Sequence, residues 1–462
     1  MGIGLVVPRG LRGRRHPVLV REARAAARRA RSVPRCRARR EERPRHVRTG
    51  PPHAHRRRGG PRLGTHRNVR EPLTVRVTLV SRIYTPEPAA ASFRLRALVD
   101  ALVERGHEVR VLTTRVPRLR RDDGGAHVKR WPVLRDRDGY VRGYVNYLSF
   151  DVPVFFRLLL GRKQDVYVTE PPPTTGFVVR VVATLLGRPY VYYAADIWSD
   201  AAANTDAPAW VLGAVRRVER GSMAHATAVL SVSESVTRRL AAWGVRKNVA
   251  TIGNGVDVTA LAAGRGTSTD DAGAPLLVYT GTASEVHGAT IFVEAFADVL
   301  QSRPDARLVF IGHGSEWPEL TALAEKLPAG SVTFRPRLPL DELGAVLDRA
   351  TAALASVRPG RGYDFAFPTK LYAAAARGVP AVFTGVGPAI DFVERSGAGE
   401  AVAYDRSSVA AAMLRAIENP PTADSRATLS AWAAEEVDLA AVGRRGADVV
   451  ETAALQKKRS PR

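Results

Sequence analysis

Four short segments of the chain bring together glycines and small polar or cationic residues in patterns that can hold an anion. They are Gly281, Thr282, Ser284 and His287 in a run closing at Gly288; Gly312-His313-Gly314; the stretch from Arg358 to Lys370, with Arg361, Asp364 and Pro368; and Gly385-Val386-Gly387-Pro388. Glycine removes side-chain bulk, so backbone N–H groups and helix N-termini can approach a charged group, typically a phosphate. The plainer alternative, that each glycine only makes a tight turn, is not decided by any one loop; four at one sheet edge favour the anion. Farther toward the N-terminus, Asp196 and Asp200 flank Trp198 just after an apolar run. Two carboxylates there can bind hydroxyls or orient a proton relay, and Asp196 suits a helix N-cap equally well. Arg94 and Arg96 lie where a phosphate-bearing ligand can reach them, although solvated helix charges are the default for such residues. His107 reads as the fixing residue of a turn.

The elements that must position these residues are read from periodicity. V-R-V-T-L-V-S over 75–81 is a buried strand, and a Pro-containing loop through Pro86 and Pro88 follows it. A helix over 91–105 carries Leu95, Leu98, Val99 and Leu102 on one stripe, and Arg105-Gly106-His107 turns it into the strand E-V-R-V-L-T-T. That is one βαβ unit with parallel strands. Apolar runs at 165–169, 190–194, 228–232 and 249–252 continue the sheet. A small-residue stretch, A-A-G-R-G-T-S-T-D-D-A-G-A, marks a boundary, after which strands at 276–280, 307–311, 332–335, 352–357, 381–384 and 400–404 alternate with helices. The expected fold is α/β: two Rossmann-like, doubly wound parallel-sheet domains facing a cleft. The expected division is a tail at 1–70, a first domain at 71–262, a linker at 263–274, a second domain at 275–420 and a C-terminal helix and tail at 421–462. Ligands of such sheets bind beyond the carboxyl ends of the strands.

The formal charge of +25 suggests nucleic acid until it is divided by region. Residues 1–70 hold 22 Arg against 3 Glu, so +19 belongs to a stretch with no Phe, Trp or Tyr and only +6 to the rest. A nucleic-acid face should belong to a folded domain and interleave aromatics, so no nucleic-acid partner is expected for the globular part. The leader reads as a transit peptide, a nucleic-acid arm, or a disordered or upstream stretch with translation starting near Val75; its lack of packable apolar surface favours the last. The sole cysteine, Cys36, lies in it, which leaves the folded part without disulfides, thiolate ligands or a cysteine nucleophile. A cytoplasmic location is compatible with this, and no segment reaches the roughly 18 to 20 apolar residues of a membrane span.

Residues 144–160, Y-V-N-Y-L-S-F-D-V-P-V-F-F-R-L-L-L, precede Gly161-Arg162-Lys163. Aromatic anchors with flanking cations describe an interfacial helix making peripheral membrane contact. They also describe a core helix with one wet edge, and the interruption at Pro153 favours that reading.

Several strings, in this order, resemble the glycosyltransferases of the two-Rossmann-domain (GT-B) type, the retaining group 4 or group 1 class. They are V-T-L-V-S-R-I-Y-T-P-E-P-A-A-A-S-F-R-L-R-A-L followed by R-G-H-E-V; Y-Y-A-A-D-I-W-S-D, similar to enzymes that transfer amino sugars to lipid carriers; S-V-S-E-S-V; I-G-N-G-V-D; and F-P-T-K-L-Y-A-A-A-A-R-G-V-P-A-V. The resemblance implies transfer of a sugar from a nucleotide diphosphate sugar, UDP by family habit, onto a glycan, lipid-linked or small-molecule acceptor, as in building a cell-envelope polysaccharide, glycolipid or glycosylated metabolite. It implies no metal and no cofactor beyond the donor substrate. It places the donor on Gly281, Thr282, Ser284, His287, Gly312, Gly314, Asp364, Pro368, Lys370 and Gly385, and the acceptor near Ser92, Arg94, Asp196 and Trp198. Lys370, His287 and Asp196 then become the candidates for chemistry.

The chain also departs from that family. The G-R-x-S-x-x-K-G loop aligns with Gly281-Thr282-Ala283-Ser284-Glu285-Val286-His287-Gly288, so both cations that hold the diphosphate are missing. Charge-assisted hydrogen bonds contribute about 1.5 to 3 kcal/mol each, so replacements are needed. Lys370, Arg361 and Arg358 are candidates, as is His287, which would make nucleotide affinity fall as pH rises through roughly 6 to 8. The family's paired glutamates fall at Phe365 and Ala373, leaving Asp364 as a substitute for gripping the ribose. A nucleotide-sugar epimerase or a non-catalytic sugar-nucleotide binder remain alternatives. An NAD-dependent oxidoreductase is disfavoured, because no G-x-G-x-x-G follows the first strand.

Overall fold

The computed structural model describes residues 74–458, apart from 88, 117–124, 137–138, 140, 142, 200–207, 263–272, 362 and 365. The readings made above for residues 1–70, for Asp200 and for Phe365 lie outside the described residues.

The first sheet contains β1 (Arg76–Val80), β2 (Glu108–Thr114), β3 (His127–Trp131), β4 (Val166–Thr169), β5 (Tyr190–Ala194), β6 (Ala228–Ser231) and β7 (Val249–Thr251). Its order is β3-β2-β1-β4-β5-β6-β7, with every pairing parallel. The second sheet contains β8 (Leu276–Thr282), β9 (Arg307–His313), β10 (Val332–Arg335), β11 (Ala352–Val357), β12 (Ala381–Gly385) and β13 (Gly399–Val402), in the order β10-β9-β8-β11-β12-β13 and again parallel. Both are doubly wound, with the chain reversing direction between β1 and β4 and between β8 and β11, and the crevice outside the carboxyl ends at such a reversal is where open α/β sheets take their ligands. Central strands such as Y-V-Y-Y-A and A-A-L-A-S-V are buried along their whole length, which is why they read as continuous apolar runs rather than as alternation.

Helices cover both faces. In the first domain they are α1 (Ala90–Glu104), α2 (Tyr144–Leu159), α3 (Pro173–Leu185), α4 (Ala209–Ala224) and α5 (Glu234–Ala242), while α6 (Val258–Ala262) packs into the core of the second through Leu261. In the second they are α7 (Thr290–Ser302), α8 (Trp317–Ala324), α9 (Leu340–Arg349), α10 (Lys370–Ala376), α11 (Pro388–Ser396) and α12 (Arg406–Glu418). Two features differ from the sequence reading. β3 was not foreseen, because H-V-K-R-W exposes its polar positions at the sheet edge. The C-terminal segment is two helices, α13 (Ala423–Glu436) against the second domain and α14 (Leu439–Lys458) returning to lie along α1 in the first. Gly443 permits that return, since a Cβ there would strike the Ala97 carbonyl. His107 does more than fix a turn: its Nδ1 accepts from the Val75 N–H at 3.4 Å and its Nε2 lies 2.8 Å from Glu451 Oε1, tying α14 to the first strand.

The described residues form one compact unit. Arg238 reaches across to Asp391 at 2.8 Å, and Arg445 on α14 donates to the carbonyls of Ile252, Glu435 and Glu436.

Candidate active site

The four loops of the second domain all leave the carboxyl ends of its strands. Their glycines divide by cause. At Gly312, Gly314 and Gly385 a Cβ would collide with the carbonyls of Gly281, Ala283 and Val357 respectively, so the protein's own backbone already demands glycine there. Gly281 is different: its φ is +92° and, among the described residues, the Lys370 Cε is the one neighbour within reach, 3.9 Å from where a Cβ would stand.

Lys370, the first residue of α10, extends back over that loop. Its ammonium sits 3.4 Å from the centre of the Tyr279 ring and 3.4 Å from the Thr282 carbonyl oxygen. Burial drives its pKa well below the usual lysine value, and the Glu316 carboxylate offsets only part of this. A half-buried ammonium resting on an aromatic face, with one long hydrogen bond to a carbonyl, is poised to accept an anionic partner. Glu316 is itself buried, accepts from the Ala289 N–H at 2.9 Å where α7 begins, and has its pKa raised chiefly by that burial.

His287 does not stand as a cation in the free protein. Burial first, and then the neighbouring Lys370 charge, hold its pKa to about 4, and its Nδ1 lies 2.9 Å from Ser284 Oγ. It is a neutral ring that orders the Ser284–Gly288 turn, so the pH dependence expected from it between 6 and 8 loses its basis in the unliganded state. Arg358 enters the site from β11, its N–H bonded to the Val286 carbonyl at 2.9 Å, whereas Arg361 is exposed beyond it. Asp364 is exposed and its Oδ1 accepts from the Gly360 N–H at 3.3 Å, which assigns it to a turn. Ala373 is buried and Pro368 is buried at the mouth of α10.

Across the cleft, at the β1/β4 reversal, stands a group that sequence reading missed. Arg82, two residues after β1, is 5% exposed; it donates to the Val141 carbonyl at 2.6 Å and lies 4.3 Å from the Tyr147 ring centre and 5.8 Å from that of Trp198. Glu170, directly after β4, is also buried and accepts from Ser81 Oγ at 2.5 Å. Its pKa is raised, first by burial, with the Arg94 and Arg82 charges opposing and Asp196 adding to the rise. Arg94 is not a solvated helix charge, because its guanidinium is buried 4.0 Å from Glu170. Arg96 does fit the surface reading, bonded to Asp100 one turn on at 2.6 Å. Ser92 is a correction: it is wholly buried within α1 and presents nothing to an acceptor.

Asp196 keeps an exposed carboxylate near Glu170, and it does not cap the turn that follows. That task falls to Glu219 on α4, fully buried, whose two oxygens accept from the N–H groups of Trp198 at 2.7 Å and Ser199 at 2.8 Å. Trp198 is thereby fixed edge-on to Tyr147, ring centres 5.7 Å apart. The signal for this group was present as a charge closing an otherwise apolar strand, in V-S-R and V-Y-V-T-E.

A cavity of about 380 Å³ opens between the domains. Its walls include Ser233, Asn254 and Glu436 together with Phe367, Asp391 and Arg395, but neither Lys370 nor Arg82. Phe367 stacks on Tyr372 at 4.5 Å with Phe392 edge-on to both, an aromatic buttress that fixes the segment leading into Lys370.

Two family profiles match the chain: the glycosyl transferase 4-like domain over residues 90–255, and glycosyl transferases group 1 over residues 274–419. No curated protein sequence matches it. Among solved structures, HepE of Anabaena in complex with UDP is similar with a TM-score of 0.58 at 16% identity, over 82% of this chain and 100% of that one. WaaG, a glycosyltransferase involved in lipopolysaccharide biosynthesis, is similar with a TM-score of 0.55 at 17% identity, over 81% and 99%. A UDP-N-acetylglucosamine 2-epimerase is similar too, with a TM-score of 0.53 at 13% identity over 84% and 98%, so at these identities the likeness is one of fold. The two profiles match each sheet in turn, in the order the sequence motifs run, and the chain belongs to the glycosyltransferases that join a 4-like first domain to a group 1 second domain.

Proposed function

We propose that this glycosyltransferase takes a UDP-sugar on the second domain and passes the sugar, with retained anomeric configuration and without a metal, to a hydroxyl of a cell-envelope glycan, glycolipid or metabolite held by the first. The carrying observation is the Lys370 ammonium, seated on Tyr279 beside the open Gly281 turn. UDP is preferred because HepE binds it within the same fold. As the bond from the anomeric carbon to the diphosphate breaks, charge on the departing oxygen is met by Lys370 and Arg358; the acceptor oxygen bonds to that carbon and its proton passes to the leaving phosphate. Arg82, Asp196 and Trp198 orient the acceptor. A cytoplasmic setting, where nucleotide sugars are made, completes the reading.

The test is thermal unfolding of the full chain with UDP, GDP, ADP and TDP, followed by turnover of the matching nucleotide sugar. A ligand bound only by the folded state raises the melting temperature. A rise with UDP, and sugar transfer that requires an acceptor, is expected. Acceptor-independent release of an altered sugar would assign an epimerase, and binding without turnover a silent binder.

Lys370 also sets a pH dependence. Its depressed pKa in the free protein must rise when a diphosphate replaces water beside it, so binding takes up a proton and affinity falls as pH rises between the two values. Calorimetry of UDP binding in buffers of different ionisation enthalpy should show that uptake in wild type and not in Lys370→Met.

A further inference from the structure

Among the described residues, the outward face of α2 has no partner. Tyr147, Phe150, Val154 and Leu158 point inward and are buried, and the helix continues through Pro153. Val145, Leu148, Val152, Phe156 and Leu160 are between 51% and 81% exposed. Their spacing of three and four residues draws one apolar stripe about 22 Å long. The adjacent α3 widens it with exposed Phe177 and Leu185. A continuous apolar face of this extent marks an interaction surface.

The stripe ends in cations. Arg157 lies 4.6 Å over the Trp131 ring, and Arg162 and Lys163 are exposed just past the helix. Beneath them a cavity of about 240 Å³ is lined by Arg110, His127, Lys129, Arg162 and Gln164. Its one carboxylate, Glu108, is already paired with Arg162 at 3.0 Å. The Nε of Arg110 is buried there without a hydrogen-bond partner among the described residues. Apolar side chains beside unneutralised cations are the two signals that together hold a helix on an anionic bilayer. No helix among the described residues is long and apolar enough to cross one.

We propose that the outer face of α2, with the cationic cavity at its C-terminal end, docks flat on a bilayer rich in anionic phospholipid, the cavity receiving a headgroup phosphate. Tyr147, on the same helix, packs against Trp198 and under Arg82, so docking sets the acceptor side of the cleft beside the membrane. The docking holds whichever sugar and acceptor the site takes.

Flotation of the full chain with phosphatidylcholine vesicles, with and without phosphatidylglycerol, tests it. Wild type should float only with the anionic vesicles. The exposed-site variant Leu148→Glu/Val152→Glu/Phe156→Glu should keep its melting temperature and bind about tenfold more weakly or less, and Lys129→Glu/Arg162→Glu should lose binding as well. The basic leader is common to every variant, so equal flotation of wild type and the stripe variant overturns the proposal. So does failure of wild type to float, or a wild-type dimer that the stripe substitutions dissociate.

Discussion

Replacing Lys370 with alanine should weaken UDP binding by about ten- to a hundredfold, corresponding to the roughly 1.5 to 3 kcal/mol of a hydrogen bond to a charged group. The loop from Gly281 to Gly288 contains no cation that is charged at neutral pH, since His287 is held to about 4. Lys370 and Arg358 therefore carry the counter-charge for a diphosphate between them. The stability effect should run the other way. Lys370 sits in a setting that depresses its pKa by burial, so the free protein bears a cost for holding it, and Lys370→Ala should melt at the same temperature or higher. Loss of affinity without loss of stability, read by calorimetry and thermal unfolding together, identifies a ligand-binding lysine. A parallel fall in both would mark it as structural and remove the observation on which the proposed donor site stands.

The second domain was more legible than the first, and the reason is physical. Its central strands are buried on both faces, so their apolar runs stand out, and its ligand loops carry glycines that break the pattern. At Gly312, Gly314 and Gly385 a neighbouring carbonyl already requires the missing side chain, so packing accounts for the glycine there whatever ligand the loop takes. In the first domain the polar residues at the cleft come from distant positions that only the sheet order unites. Arg82 and Glu170 are 88 residues apart in sequence, yet each ends one of the two strands flanking the reversal. Arg94 looked like a surface charge because helical periodicity shows which face is apolar, not that a buried carboxylate waits opposite. The return of α14 onto α1 was invisible for a similar reason, since an alanine-rich helix declares that it packs closely without declaring against what.

That buried group supports the other large effect. Glu170→Ala should destabilise the first domain by about 3 to 5 kcal/mol, because it leaves the buried guanidinium of Arg94 without its counter-charge and Arg82 with less of its own. Glu170→Gln removes the same counter-charge but keeps the shape and an acceptor for Ser81 Oγ, so it should cost less than the alanine. The pH dependence separates the two roles. Because burial raises the folded-state pKa of Glu170 above its unfolded value, the folded protein binds the proton more readily. Its contribution is therefore fully present below the unfolded pKa and is lost as pH rises through the folded one. Urea unfolding against pH should show that decline in wild type and a flatter profile in Glu170→Gln. Kinetics would then show whether the group serves the acceptor. Asp196 lies close enough for its charge to act on Glu170, so an effect confined to the acceptor KM, with donor KM unchanged, would place the cluster behind the acceptor site. Equal changes in both would reduce it to a scaffold of the β1/β4 junction.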